Sequence, residues 1–213
     1  CVLNYTVTSN HIHLLVHDGK KDVIPKSMQL IAGRTGRDYN IRKNRKGAFW
    51  EDRYHTTAVK TDAHLIRCMA YIDLNMVRAG VVQHPSEWEF GGYTEIQNSK
   101  QRYTVINRRK LSNLLGIKND AYLLESHRQW VEEVLKNGSN KRDAKWTESV
   151  AVGDKKFVSD TKAKLGAKAV GRKVSGENGN YELRESQIPY SPLFAPEKCA
   201  LSSENSYFWN QSQ

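Results

Sequence analysis

Apolar and polar positions alternate from the first residues of the chain. Val2-Leu3-Asn4-Tyr5-Thr6-Val7 reads as a strand, Ser9-Asn10 as a turn, and His11-Ile12-His13-Leu14-Leu15-Val16 as a second strand. In the second strand the order His, Ile, His sends both imidazoles to the same face. After a polar Lys20-Lys21-Asp22 loop, a helix is predicted from Ile24 to about Ile41, with Pro25 in its first turn and Met28, Ile31 and Tyr39 toward one side. Gly33 and Gly36 weaken it. The strongest helical pattern runs from about Asp62 to Arg78, with Thr61 or Asp62 as N-cap and Gly80 just beyond its end. At 100° per residue, Leu65, Met69, Ile72 and Met76 form one apolar sector. Arg67, Tyr71, Asn75 and Arg78 form another, roughly a quarter to a third of a turn away, with His64 and Cys68 beside it. The second sector is the one free to do something other than pack.

Later segments alternate in the same way. A short helix is expected from Arg108 to Leu115, closed by Gly116. A longer one runs from Asp120 to Lys136, with Leu123, Leu124, His127, Val131 and Val134 on one side and Gly138 after it. On that helix His127 and Trp130 read as core residues. Val150-Ala151-Val152 reads as a strand, and Asp154 as the cap of a short basic helix. Beyond Gly171, Pro189, Pro192 and Pro196 lie among Ser, Asn, Glu and Gly, which reads as a low-order tail. The pattern divides the chain into residues 1–97, a mostly helical extension over 98–170 that could bind DNA, and a tail over 171–213.

Composition narrows the class of partner. The 213 residues are 38% apolar and carry a net charge of +10, which favours a polyanion such as nucleic acid. No apolar run approaches the ~18 residues of a membrane span, so a membrane is the weaker partner. Three cysteines, Cys1, Cys68 and Cys199, without a Cys-x-x-Cys pair, argue against a disulfide framework and for a reducing cytoplasm. Between Arg34 and Arg53 the basic residues Arg34, Arg37, Arg42, Lys43, Arg45, Lys46 and Arg53 face only Asp38, Glu51 and Asp52, with Tyr39, Phe49 and Trp50 interleaved. Cations for a backbone and rings for bases suit single-stranded nucleic acid. A solvated basic loop around a packed Trp50 is an equal alternative for that tryptophan.

Two clusters carry chemistry. Neutral imidazoles two residues apart on a strand can share one divalent cation, although the pattern alone is common. Tyr71 and Asn75, one helical turn apart, offer a phenol next to a carboxamide. A tyrosine that attacks a phosphodiester keeps the bond energy in a phosphotyrosine and releases a 3′-hydroxyl. A divalent metal stabilises the charge on the non-bridging oxygens. Two histidines hold such a metal weakly, and the Asn75 amide oxygen would complete the set beside the nucleophile. Tyr54 is set aside as nucleophile because Ala58, and no carboxamide, follows it at i+4.

His11-Ile12-His13, Lys46-Gly47-Ala48-Phe49-Trp50-Glu51-Asp52-Arg53-Tyr54, Tyr71-Ile72-Asp73-Leu74-Asn75-Met76-Val77-Arg78-Ala79-Gly80 and Pro85-Ser86-Glu87-Trp88-Glu89-Phe90 occur in this order over roughly residues 1–95. Together they resemble the REP-associated tyrosine transposases, relatives of the insertion-sequence single-tyrosine transposases of the HUH type. The resemblance implies an α+β fold with an antiparallel sheet flanked by helices (HUH, ferredoxin-like), followed here by the helical extension and the disordered tail. It implies Tyr71 as nucleophile, and His11, His13 and Asn75 as ligands of Mg²⁺ or Mn²⁺. The substrate would be single-stranded or hairpin DNA, such as repeated extragenic palindromes or element ends. The DNA contacts would be Arg34, Arg37, Arg42, Lys43, Arg45, Lys46, Trp50, Arg53, Arg67 and Arg78. Two departures stand out. Met76 occupies a position commonly Pro in the family, so the helix is expected to continue. The family also places about one strand, one helix and a second strand ahead of the His-x-His strand, whereas this chain begins at Cys1 within a strand. An N-terminally incomplete domain is the expectation.

Two other readings remain open: a truncated or domesticated DNA-binding protein that does not use Tyr71, and a metallohydrolase drawing on His55, His64 or Asp73. The oligomeric state is open as well.

Overall fold

The computed structural model describes residues 1–98, 103–138 and 141–185. The protein is α+β, with an antiparallel sheet flanked by helices. Strands β1 (Val2–Val7) and β2 (Ile12–Val16) form an antiparallel pair in which Tyr5 faces Leu14 and Thr6 faces His13. The other edge of β1 is met by isolated bridges, Val2 to Ile106 and Thr6 to Gly91. Helix α1 (Val23–Arg42) follows, then the two-residue strand β3 (Ala58–Val59), helix α2 (Ala63–Asp73) and the single turn α3 (Asn75–Arg78). Helices α4 (Gly92–Gln97), α5 (Arg108–Leu115), α6 (Asp120–Lys136) and α7 (Lys145–Glu148) lead to β4 (Ala151–Gly153), α8 (Lys155–Leu165), β5 (Arg172–Glu177) and β6 (Asn180–Glu185).

The apolar sector of α2 is buried as its spacing predicts. Leu65, Met69 and Ile72 pack with Leu3 and Leu15 of the strands and with Ile96, Leu111 and Leu123 of the later helices. The expected single helix from 62 to 78 is instead interrupted at Leu74, which turns at φ −81° and ψ 9° between α2 and α3. The cause lies in packing. Leu74 is fully buried in a second cluster with Tyr93 and Val131, distinct from the one that takes Ile72. A continuous helix keeps a fixed angle between these two residues, and the turn redistributes them. The absence of a proline at 76 does not keep the helix whole.

Several polar groups inside this core are matched. Asn4 donates through Nδ2 to Asp73 Oδ1 at 3.0 Å, and Thr6 Oγ1 donates to Ile72 O at 2.9 Å. His127 Nε2 lies 2.8 Å from Asp73 Oδ2, with both side chains out of water. The buried Glu95 carboxylate accepts from Tyr5 OH and from the N–H groups of Val105 and Ile106. Burial and this carboxylate push the Tyr5 phenol up to about 12. His127 is thus a core residue, as its helix face predicts, and it joins α6 to the helix that carries Tyr71.

The C-terminal part departs further from the expectation. Residues 172–185 are read from composition as the start of a low-order tail, yet β5 and β6 pair over six registers there. They join a four-stranded sheet ordered β3-β4-β6-β5, in which β3 and β4 run parallel. Asn178 and Gly179, at φ 49° and 79°, make the tight turn between the Glu177 and Asn180 partners. That is the usual two-residue hairpin signal, here hidden by a polar surrounding. Val158 of α8 closes a third small core with Ala151 and Leu183. The remainder of the predicted tail, 186–213, lies outside the described residues.

Candidate functional site

His13 lies on β2 and His11 stands one residue before that strand begins, not on it as the pattern predicts; their ring centroids are nonetheless 5.0 Å apart. The His13 ring meets the Tyr71 ring edge-on at 6.1 Å. This contact exists because β1, which pairs with β2, is bonded to α2 through Asn4 and Thr6. A residue two along the strand and a residue on the exposed side of the helix thereby meet at one corner of the sheet.

Both histidines suit a metal. Burial first, then the electrostatic influence of the neighbouring His11 and Arg78, lowers the His13 pKa from its ordinary 6.5 to about 4, which keeps the ring neutral and its lone pair free. His11 places Nδ1 2.7 Å from Asn10 Oδ1 and 3.0 Å from Thr8 Oγ1. The Asn10 amide oxygen can only accept, so Nδ1 carries the proton and Nε2 keeps its lone pair. This arrangement, an imidazole oriented through its other nitrogen, is what metal-binding histidines ordinarily show. Asn75 is brought onto α3, half-buried, beyond the break at Leu74. Among the described residues no hydrogen bond ties its side chain to the histidines or to Tyr71. No group of three or more His, Cys, Asp or Glu side chains able to hold a metal occurs there either. Among the described residues, His55, His64 and Asp73 therefore do not gather with the histidine pair into one site. His55 bonds to Ser149 O, and His64 caps back to Asp62.

The predicted basic residues divide into three groups. Arg78 lies with its guanidinium carbon 3.9 Å from the centre of the Tyr71 ring and donates to the Tyr71 carbonyl at 2.6 Å. Arg67, expected on the same face, turns instead to Asn180 at the start of β6. Arg34, Arg37, Arg42, Lys43, Arg45, Lys46 and Arg53 are exposed on α1 and the loop after it. Arg42 and Arg45 flank the Tyr39 ring at 5.8 and 5.7 Å. Trp50 packs on α1 rather than in the main core, with Nε1 donating to Ala32 O at 3.1 Å. No residue of α1 is buried, so the helix and its loop form a projecting basic arm.

One neighbour of Tyr71 has no precedent in the sequence reading. Trp146 of α7 packs its ring 6.2 Å from that of Tyr71, inclined by 37°. Nothing in local spacing could have linked residues so far apart in the chain.

The fold and this corner define an α+β protein in which a strand histidine, with a second one beside it, meets a helix tyrosine, on a chain with a large positive charge. Residues 1–75 match the family described as Transposase IS200 like. The matched stretch contains His11, His13, Tyr71 and Asn75, and it supports a DNA-handling protein of the transposase class. No curated protein and no solved structure matches the chain. Among the described residues no helix is long and apolar enough to cross a membrane.

Proposed function

We propose that the protein is a metal-dependent single-tyrosine transposase of the HUH type, cleaving and rejoining single-stranded or hairpin DNA through a covalent phosphotyrosine. The observation that carries this reading is the contact of the neutral His13 with the Tyr71 ring, with His11 behind it. The family match over the same residues adds support.

In this reading the Tyr71 oxygen attacks the phosphorus, the phenol proton leaves to solvent, and a new P–O bond to the protein forms as the P–O3′ bond breaks. The departing 3′-oxygen takes up a proton, so no external energy source is needed for rejoining. His11 and His13 would hold Mg²⁺ or Mn²⁺, which supplies Lewis-acid stabilisation of the scissile phosphate. Asn75 is the candidate third ligand, its carboxamide engaged in no hydrogen bond among the described residues. Arg78, beside the phenol, adds positive charge where the phosphate would sit. The basic arm, with Arg42, Arg45, Tyr39 and Trp50, would track the backbone and bases of the strand. A cytoplasmic setting and extragenic palindromes as targets belong to the same proposal.

Tyr71→Phe tests it. Incubation with a hairpin oligonucleotide and Mn²⁺ should give a covalent adduct with the unmodified chain and none with Tyr71→Phe, while single-strand affinity changes by no more than a few-fold. An adduct that persists in Tyr71→Phe would remove Tyr71 from the mechanism.

A further inference from the structure

Tyr71 lies among three side chains delivered by three separate parts of the chain. His13 comes from β2, Arg78 from α3, and Trp146 from α7, seventy-five positions after Tyr71 and outside the stretch matched to the family. A single helical turn has little rigidity of its own, yet α7 is pinned on both sides. Thr57 Oγ1 donates to Ser149 O at 2.6 Å and to Trp146 O at 3.4 Å, and His55 Nε2 lies 2.9 Å from the same Ser149 carbonyl. Ala58 N donates to Val150 O at 2.8 Å, which begins the parallel β3–β4 pairing. From the other side, Arg184 of β6 pairs with Glu148, and Glu182 bonds Ser149. Lys145, held by Asp143 at 2.6 Å, lies over the Trp146 ring at 5.1 Å.

These bonds hold the Trp146 ring beside that of Tyr71, 6.2 Å away. A tyrosine ring turns about two torsions, and in-line attack tolerates little error in where its oxygen lies. With Trp146 removed, Tyr71 would keep its backbone and its Arg78 contact but lose an aromatic neighbour that restricts its ring.

We propose that Trp146 is a positioning residue for Tyr71, so that the C-terminal extension completes the active site. The proposal rests on Tyr71 being the nucleophile. It differs from a general packing role in that it concerns the rate of the chemical step and not DNA affinity.

The test uses the full chain, with adduct formation measured at saturating hairpin DNA and Mn²⁺. Trp146→Ala should slow the saturating rate by about 10- to 100-fold while the DNA dissociation constant stays within about 3-fold, since misplacement of a reacting group acts on rate. Trp146→Phe should recover most of the loss. Thr57→Val, which removes one of the bonds that hold α7 and leaves the ring intact, should lower the rate in the same direction by less. In protein labelled with 3-fluorotyrosine, the Tyr71 signal, assigned by its absence in Tyr71→Phe, should move in Trp146→Ala. If Trp146→Ala lacks a cooperative unfolding transition, Trp146→Leu carries the same comparison with its apolar bulk retained. A saturating rate within about 3-fold of the parent chain overturns the proposal. So does weakened DNA binding at an unchanged saturating rate, which would make Trp146 a DNA contact. If the unmodified chain forms no adduct, the reading of Tyr71 as nucleophile fails and this one falls with it; a normal parent adduct with a normal Trp146→Ala adduct fails this one alone.

Discussion

Replacing His127 by Leu should destabilise the protein by about 3–5 kcal/mol, the range for removing one partner of a buried polar pair. His127 is 1% exposed, and its contact with Asp73 has neither side chain in water. The Gln97 amide donates to Nδ1 at 2.9 Å, which leaves the ring proton on Nε2 to be donated to Asp73 Oδ2 at 2.8 Å. Leucine has nearly the volume of an imidazole, so the cavity contribution is small and the polar loss dominates. Asp73 keeps Asn4 on Oδ1 but has a buried Oδ2 with no donor. Gln97 keeps the Leu124 carbonyl, so its loss is about 1 kcal/mol or less. Against a total stability of roughly 5–15 kcal/mol such a loss is severe. The double variant Asp73→Leu/His127→Leu removes both polar partners and should cost at least about 2 kcal/mol less than the sum of the single variants. Urea unfolding followed by circular dichroism at neutral pH reads all three, with midpoint and slope compared separately. A His127→Leu protein within about 1 kcal/mol of the parent would refute the idea that this buried pair locks α6 onto the helix of Tyr71.

Gly92→Ala should cost more than about 3 kcal/mol, because a Cβ there would lie 2.0 Å from Asn4 Oδ1 and 3.0 Å from Tyr5 N, neither able to move without breaking the β1 contacts; thermal unfolding of the variant checks this. Asp62→Ala should cost about 1–2 kcal/mol as a lost N-cap, since Asp62 Oδ1 accepts from His64 N at 2.9 Å. Its pH dependence has a defined sign. Burial opposes ionisation of Asp62, but the bonds from His64 and Lys60 outweigh it and hold the carboxyl at about 2, below its ordinary 3.8. The stability it lends is complete above pH 3.8 and is lost as pH falls toward 2, because the unfolded chain takes up the proton first. The difference between parent and Asp62→Ala in urea midpoints should therefore shrink over that window and stay constant above it. For the metal, EDTA should stop adduct formation and Mn²⁺ restore it. His11→Ala and His13→Ala should each lower the rate by more than about 100-fold, beyond what loss of a supporting group brings; undiminished adduct in EDTA would contradict a metal role.

What the sequence by itself determined was local. The boundaries of α5 and α6 were legible because their signals lie within a few residues. Asn107 and Asn119 cap the starts, and Gly116 takes the left-handed conformation at the end of α5. The closeness of His11 and His13 was legible in their spacing, although β2 begins only at Ile12, and the burial of Leu65, Met69 and Ile72 follows from the period of a helix. Tertiary structure decided everything that depends on pairing distant segments. Leu74 breaks its helix because two separate clusters compete for neighbouring side chains. Arg67 leaves the Tyr71 face because a hairpin, itself obscured by polar composition, offers it Asn180. Trp146 reaches Tyr71 because β3 and β4, far apart in the chain, pair in parallel. Periodicity fixes which way a side chain leaves its own element; which element it then meets is set by loop closure and the packing of the whole core, and these leave no trace in a short window of residues.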